Sequence, residues 1–126
     1  MTARLCIAIA SILGGLSVAG GAFGAHALKA QLTEKSLATF EIGTRYQMYH
    51  SLALLLVGLL WLQFPKNSWL SYASWAFIIG IVIFSGSLYG LSLSGIKVLG
   101  AVAPIGGFAL IIGWAFLATA AFSLTN

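Results

Sequence analysis

Four long apolar runs, separated by short polar segments, set the pattern of this chain. They cover residues 5–25, 46–64, 69–93 and 98–124. A helix needs roughly 20 apolar residues to cross a bilayer, and each run is close to or above that length. The turns around Lys66 and Lys97 are short, which favours antiparallel neighbours. The pattern predicts a single all-α domain over residues 1–126, an integral membrane bundle of four transmembrane helices.

The segment between the first two runs has a different character. Thr33 is a predicted N-cap, and Glu34 beside it suits the positive end of a helix. Leu37 and Phe40 supply an apolar side among charged and polar neighbours. The segment 33–45 is therefore predicted to be an amphipathic helix at the membrane interface, which runs into the second span.

The fourth run contains Pro104, in the sequence AVAPIGG. Proline removes a backbone donor and clashes with the preceding turn. We therefore expect Pro104 either to kink the fourth helix or to mark its true start.

Composition supports the membrane assignment. The chain has 126 residues, of which 60% are hydrophobic and only 6% are charged. Soluble domains are about a quarter charged, so this chain lacks the charges needed to cover a surface in water. The net charge of +4 comes from scattered cations that form no patch, so nucleic acid is not expected as a partner. The lipid bilayer is the expected environment.

The basic residues also predict an orientation. With four spans, Arg4 and Lys66 fall on one side of the membrane. The other four cations fall on the opposite side, and they are Lys29, Lys35, Arg45 and Lys97. Cytoplasmic loops carry an excess of lysine and arginine, so the first and third loops are predicted to face the cytoplasm. Both termini would then lie outside.

The stretch GGAFGAHALK, residues 20–29, allows three interpretations. A phosphate-binding loop is disfavoured because no strand precedes it and the Gly-Lys-Ser/Thr ending is missing. A signal-peptide cleavage site is disfavoured because the apolar run is longer than usual. Close helix packing through small residues four apart is preferred. The glycines assigned to helix packing are Gly20, Gly24, Gly86, Gly90, Gly107 and Gly113.

A small set of polar residues marks a candidate binding site. Tyr46, Gln47 and His50 share one helical face where the second run begins. His26 ends the first run, so both histidines are expected near one membrane surface, at the mouth of the bundle. Such residues either bind a ligand or join helices through hydrogen bonds, and the second role is the preferred one. The inventory predicts no catalytic residues, no metal and no cofactor.

Four sequence blocks together resemble a known family. GAFGAHALK, FEIGTRYQMYHSLALL, FSGSLYGLSLSG and APIGGFALIIGWAFLA occur in this order between Gly21 and Ala118. They are similar to the family catalogued as domain of unknown function 423, and the small animal transmembrane protein 256 is similar too. The resemblance implies a small inner-membrane protein with several helices, and it implies no reaction. The matching motif residues are Gly21, Gly24, His26, Tyr46, Gln47, His50, Ser85, Gly86, Tyr89, Pro104, Gly106, Gly107 and Trp114.

Three functions fit these features. The first is a non-enzymatic structural or accessory component, which packs into a homo-oligomer or a larger membrane complex through its glycine faces. The second is a carrier or binder of a small apolar or lipid-like molecule, with the polar face at the bundle mouth. The third is a membrane enzyme or metal site that uses His26 and His50, and it requires the two imidazole rings to lie close together.

Overall fold

A computed structural model describes residues 1–124, and these form four α-helices with no strand among them. Helix α1 covers Ala3–Phe23 and continues as a π-helical segment, Gly24–Leu28. Helix α2 covers Glu34–Gln63, α3 covers Ser68–Ser94, and α4 covers Val98–Phe122. The all-α prediction is confirmed, and each predicted span overlaps one helix.

Local sequence signals explain where the helices begin and end. The Thr33 hydroxyl accepts a hydrogen bond from the Ser36 backbone N–H at 3.1 Å, which confirms the predicted N-cap of α2. The side chain of Asn67 caps α3 by accepting from the backbone N–H of Trp69. Helix α3 ends at Ser94 and is followed by the capping residue Gly95. Gly95 adopts a φ of 72°, a left-handed conformation that glycine allows at no steric cost.

Three of the helical segments are long and apolar enough to cross a membrane, namely Ala3–Leu28, Ser68–Ser94 and Val98–Phe122. Helix α2 has 30 residues and is long enough, but it is less apolar. Its buried residues include Gln47, His50 and Ser51, which lie near the middle of the helix. Helix α2 therefore carries its charged residues in its first half and buried polar residues at its centre.

The predicted helix over residues 33–45 and the predicted second span form one continuous helix, as expected. Helix α2 runs without a break through residue 46. Phe40, inside the segment assigned to the interface, is 7% exposed and packs against Gly24 and the ring of Tyr89. The second half of that segment thus lies between α1 and α3. The local pattern predicted a helix here, but it did not indicate the tertiary contacts that cover its second half.

The helices pack mainly against their neighbours in sequence. Among the described residues, the extensive backbone contacts join α1 to α2, α2 to α3 and α3 to α4, and the last pair is the most extensive. The apolar core lies towards the end of the bundle that holds the N-terminus. Its buried members are Cys6, Ala10, Ala53, Leu54, Val57, Leu70, Ala73, Phe77, Ile81, Leu110 and Ala120.

Pro104 neither begins nor interrupts α4. The helix begins at Val98, six residues earlier, and continues past Pro104 to Phe122. The prediction that Pro104 marks the start is therefore wrong.

Glycine makes the closest helix contacts possible. A Cβ on Gly106 would lie 2.2 Å from the backbone nitrogen of Phe84. A Cβ on Gly80 would lie 2.5 Å from a methyl carbon of Leu110, and one on Gly113 would lie 2.6 Å from the ring of Phe77. Three glycines thus let α3 and α4 approach closely, and Gly80 and Gly106 were not among the predicted packing residues.

The other predicted packing glycines divide into three groups. Gly24 and Gly90 lie against side chains at distances that leave little room for a Cβ. A Cβ on Gly20 would lie 3.3 Å from a methyl carbon of Thr44, and a Cβ on Gly107 would make only ordinary van der Waals contact. A Cβ on Gly86 would have no atom of the described residues within 4 Å, so Gly86 makes no close helix contact within the chain. Its position is exposed, and the assignment of Gly86 to helix packing stays a prediction for contacts outside the chain.

Two glycine substitutions test this packing. We expect Gly106→Ala to lower the free energy of unfolding by about 1–3 kcal/mol, because the Phe84 backbone cannot move away from the new methyl group. Gly86→Ala is the matched control, and it should leave stability unchanged or raise it by up to about 1 kcal/mol through helix propensity. Unfolding in mild detergent, followed by circular dichroism, measures both. Equal effects of the two variants would contradict the contact.

Candidate functional site

The amide of Gln47 joins three helices. Its nitrogen donates to the backbone carbonyl of Leu13 on α1 at 2.7 Å, and its oxygen accepts from the hydroxyl of Tyr89 on α3 at 2.5 Å. Gln47 is only 6% exposed. Its side chain therefore holds α1 and α3 against α2 from inside the bundle.

Gly43 makes room for Tyr89. A Cβ on Gly43 would lie 2.7 Å from the Tyr89 ring, so only glycine allows the ring to lie flat against α2 one turn before Gln47. The Ser85 hydroxyl donates to the Gly43 carbonyl at 2.8 Å and ties the same two helices together. The ring of Phe40 covers Tyr89 at a centroid distance of 5.0 Å. Sequence neighbours of Gln47 thus build the pocket that brings its partner within reach.

His50 forms a second polar contact, one turn further along α2. Its Nδ1 lies 2.8 Å from the carbonyl oxygen of Tyr46, and its Nε2 lies 3.0 Å from the indole nitrogen of Trp114 on α4. The ring is surrounded by the aromatic rings of Tyr46, Phe77 and Trp114, at centroid distances of 5.7–6.1 Å. His50 therefore connects α2 to α4 within an aromatic cage.

The tautomer of His50 follows from its partners. An indole N–H can only donate, so the Nε2 atom facing Trp114 must accept. The proton of the neutral ring then sits on Nδ1, which donates to the Tyr46 carbonyl. Both ring nitrogens are occupied in this state, and neither is free to ligate a metal.

These polar contacts lie in the middle of the bundle, not at its mouth. Leu13, the α1 partner of Gln47, is close to the centre of the Ala3–Leu28 segment. Gln47 and His50 are likewise central in Glu34–Gln63. The sequence predicted them at the bundle mouth because the second apolar run begins at residue 46.

His26 is separated from this region. It lies in the π-helical segment and is exposed, whereas His50 is buried. Gly24 packs against Phe40, and His50 follows Phe40 by ten residues, so the two histidines are about 15 Å or more apart along the helix axes. The hypothesis of a shared His26–His50 site is therefore wrong. Within residues 1–124, no group of three or more histidine, cysteine or acidic side chains is placed to hold a metal ion.

A groove opens beside His50, between α2, α3 and α4. Its volume is about 590 Å³, within the range of small-molecule sites. Phe108 and Ile111 on its α4 wall are 64% and 65% exposed. The residues that line it are Tyr46, His50, Phe84, Pro104, Gly107, Phe108, Leu110, Ile111 and Trp114. The groove is apolar and aromatic, and it faces the surroundings of the bundle.

The chemistry available at this site is limited. Among the described residues, every buried side-chain nitrogen and oxygen has a hydrogen-bond partner within the chain. The network therefore holds helices together in its present state, and the groove beside it offers mainly aromatic and aliphatic contact. Local sequence indicated Tyr46, Gln47 and His50, but it did not indicate Trp114 or Leu13 as their partners. Those contacts span 64 and 34 residues of sequence and leave no local signal.

The chain matches proteins found in several bacteria. A family model described as "Protein of unknown function (DUF423)" matches residues 20–107, which confirms the resemblance of the sequence blocks. A UPF0382 membrane protein of Staphylococcus aureus is 44% identical over 98% of this chain and 99% of its own length. The UPF0382 membrane protein YwdK of Bacillus subtilis is 41% identical over 94% of this chain and 96% of its own. No solved structure matches the chain.

Removing one hydroxyl tests the central polar contact. We expect Tyr89→Phe to lower the free energy of unfolding by about 0.6–1.7 kcal/mol, because the Gln47 amide oxygen loses its donor. Tyr46→Phe is the matched control, since Tyr46 is 40% exposed on the same side of α2 as the groove. Unfolding of both variants in bicelles gives the difference. A double-mutant cycle with Gln47→Leu should show coupling of similar size, and purely additive effects would contradict a direct contact.

Proposed function

Because the chain belongs to the DUF423 family and is related along nearly its whole length to bacterial membrane proteins, we propose that it crosses the plasma membrane four times, with α2 as the additional span. Helix α2 has 30 residues and packs along both α1 and α3. Its polar side chains at the centre are bonded to other helices, so they need not meet lipid. These residues make α2 less apolar than the other three helices, although their polar atoms are hydrogen-bonded within the bundle.

The proposed role is that of a non-enzymatic accessory component in a membrane assembly. The observation that carries it is the complete pairing of buried polar side-chain atoms within the described residues. A bundle whose interior polar groups bond one another has none left to recognise a polar substrate. The connections between the helices are also short, so the outer helical wall is the main surface available to a partner.

A shallow groove between α1 and α3 is the proposed contact surface. Gly20 and Gly86 lie on its two sides, and its volume is about 460 Å³. Gly86 is exposed and has free space above it, unlike the glycines used inside the bundle. Small residues on a lipid-facing wall let a second helix approach closely. A helix of a second copy or of another membrane protein would fit this groove.

A second candidate function is the binding of a lipid-like molecule. It is favoured by the 590 Å³ groove beside His50, which is apolar and faces outward. Such a ligand would lie on the bundle wall rather than at the bundle mouth. His26 is remote from this groove, so the proposal involves Tyr46 and His50 and omits His26.

The assembly proposal is tested by native mass spectrometry of the protein released from its own membrane at its natural level. We expect a reproducible complex with a fixed number of copies. Gly86→Trp should abolish that complex because it fills the groove between α1 and α3. Ile105→Trp is the control, since Ile105 is 62% exposed on α4, away from this groove. A single chain in every preparation would overturn the accessory role.

A further inference from the structure

Arg45 lies at a depth where charges are rare. It follows the α2 start at Glu34 by eleven residues, or about 17 Å of helix. Its neighbour Thr44 packs against Gly20, which is eight residues, or about 12 Å, from the end of the α1 segment at Leu28. Each helical segment is about 40 Å long, and the hydrocarbon layer is about 30 Å thick. Arg45 therefore starts inside the hydrocarbon layer if α2 crosses the membrane.

The side chain of Arg45 is exposed on the outer wall of the bundle. Charged residues within membranes usually face the interior of a bundle, because the charge is costly in lipid. A long arginine side chain lowers this cost by extending towards the headgroups, where phosphate oxygens accept its hydrogen bonds. An exposed guanidinium at this depth thus calls for an anion, and a lipid phosphate is one that the surroundings supply.

The groove beside His50 lies on the neighbouring face of α2, because the side chains of Arg45 and Tyr46 leave the helix about 100° apart. The long stem of Arg45 is what brings its guanidinium towards the end of the groove. Tyr46, the next residue after Arg45, lines the groove together with Pro104 and Trp114. Pro104 and Trp114 on the α4 wall are ten residues apart, which is about 15 Å along the helix axis. The groove therefore runs in the direction of an acyl chain, from Pro104, six residues inside α4, to Trp114 at the level of His50. A cation and an apolar groove in this order match a phospholipid.

We propose that Arg45 and the groove beside His50 form one binding site for an anionic phospholipid. The lipid phosphate bonds to the guanidinium, and one acyl chain lies along Tyr46, Phe108 and Ile111. This inference rests on the proposed four-span arrangement and names the ligand class of the second candidate function. The predicted orientation places Arg45 towards the cytoplasmic leaflet, which is rich in anionic lipid.

Glu41 is the acidic group that competes for Arg45. It precedes Arg45 by four residues, a spacing at which side chains on a helix meet. Only two acidic residues exist in the chain, and the other, Glu34, is at the start of α2. Neutralising Glu41 should therefore strengthen the site, whereas neutralising Arg45 should remove it.

The test is lipid retention by the full-length protein. Nanodiscs that contain equal amounts of phosphatidylglycerol and phosphatidylcholine are opened in a native mass spectrometer, and lipids bound to the chain are counted. We expect a preference for phosphatidylglycerol that falls about fivefold in Arg45→Gln and persists in part in Arg45→Lys. Lys35→Gln is the matched control, because it removes one exposed cation from the same helix nearer its end.

Two further variants separate the charge from the groove. Glu41→Gln should raise the preference for phosphatidylglycerol. Ile111→Trp should reduce retention of both lipids, because it fills the groove while it leaves Arg45 in place. Circular dichroism shows that each variant is folded. Equal retention by Arg45→Gln and Lys35→Gln would overturn the proposal, as would full retention by Ile111→Trp. Loss of a protein complex in Arg45→Gln, without any lipid preference in the parent, would assign Arg45 to a partner's carboxylate instead.

Cysteine labelling distinguishes failure of this site from failure of the four-span arrangement. In a Cys6→Ala background, Lys35→Cys should react rapidly with a membrane-impermeant maleimide and Arg45→Cys should be protected. Equal labelling would place the first half of α2 in water and overturn the four-span arrangement. Protection of Arg45→Cys without a phosphatidylglycerol preference would overturn the lipid site alone.

Discussion

The bundle depends on the side-chain amide of Gln47. Among residues 1–124, it is the one side chain that bonds to α1 and α3 at the same time, through the Leu13 carbonyl and the Tyr89 hydroxyl. Lipid cannot replace either partner, so breaking the contact leaves polar atoms unpaired in an apolar environment. The register of α2 against both neighbours is fixed as a result. The Ser85–Gly43 and His50–Trp114 contacts then fall at the same central levels.

Small residues make this polar centre possible. Hydrogen bonds are short, so the backbones that carry them must approach closely. Gly43 allows the Tyr89 ring to lie against α2, and Gly80 and Gly106 bring α3 and α4 together at the same depth. Apolar attraction between helices is weak in lipid, where packing and interhelical hydrogen bonds drive association. Glycines and polar side chains therefore stabilise the same helix contacts together. A larger side chain at Gly43 would displace the Tyr89 ring and so break its hydrogen bond to Gln47.

The local sequence pattern was sufficient to predict the helices. It was insufficient to predict how deep in the bundle their polar residues lie. The caps at Thr33 and Asn67 and the left-handed Gly95 are encoded by neighbouring residues. The ends of α1, α3 and α4 therefore agree closely with the apolar runs, and α2 begins at its predicted cap. The depth of Gln47 and His50 depends on partners 34 to 64 residues away. Without those partners, polar residues resemble a membrane boundary, and the second span was started at residue 46 for that reason.

The arrangement of α2 links the stability of the bundle to its outer surface. One side of the helix carries Gln47, whose polar atoms are satisfied within the chain. Arg45 lies on the exposed side, where no part of the bundle covers it. His50 lines the groove, where its ring accepts a hydrogen bond from the indole of Trp114. Any molecule that fills the groove therefore contacts residues that join α2 to α4, so occupancy of the groove and the packing of these two helices are coupled.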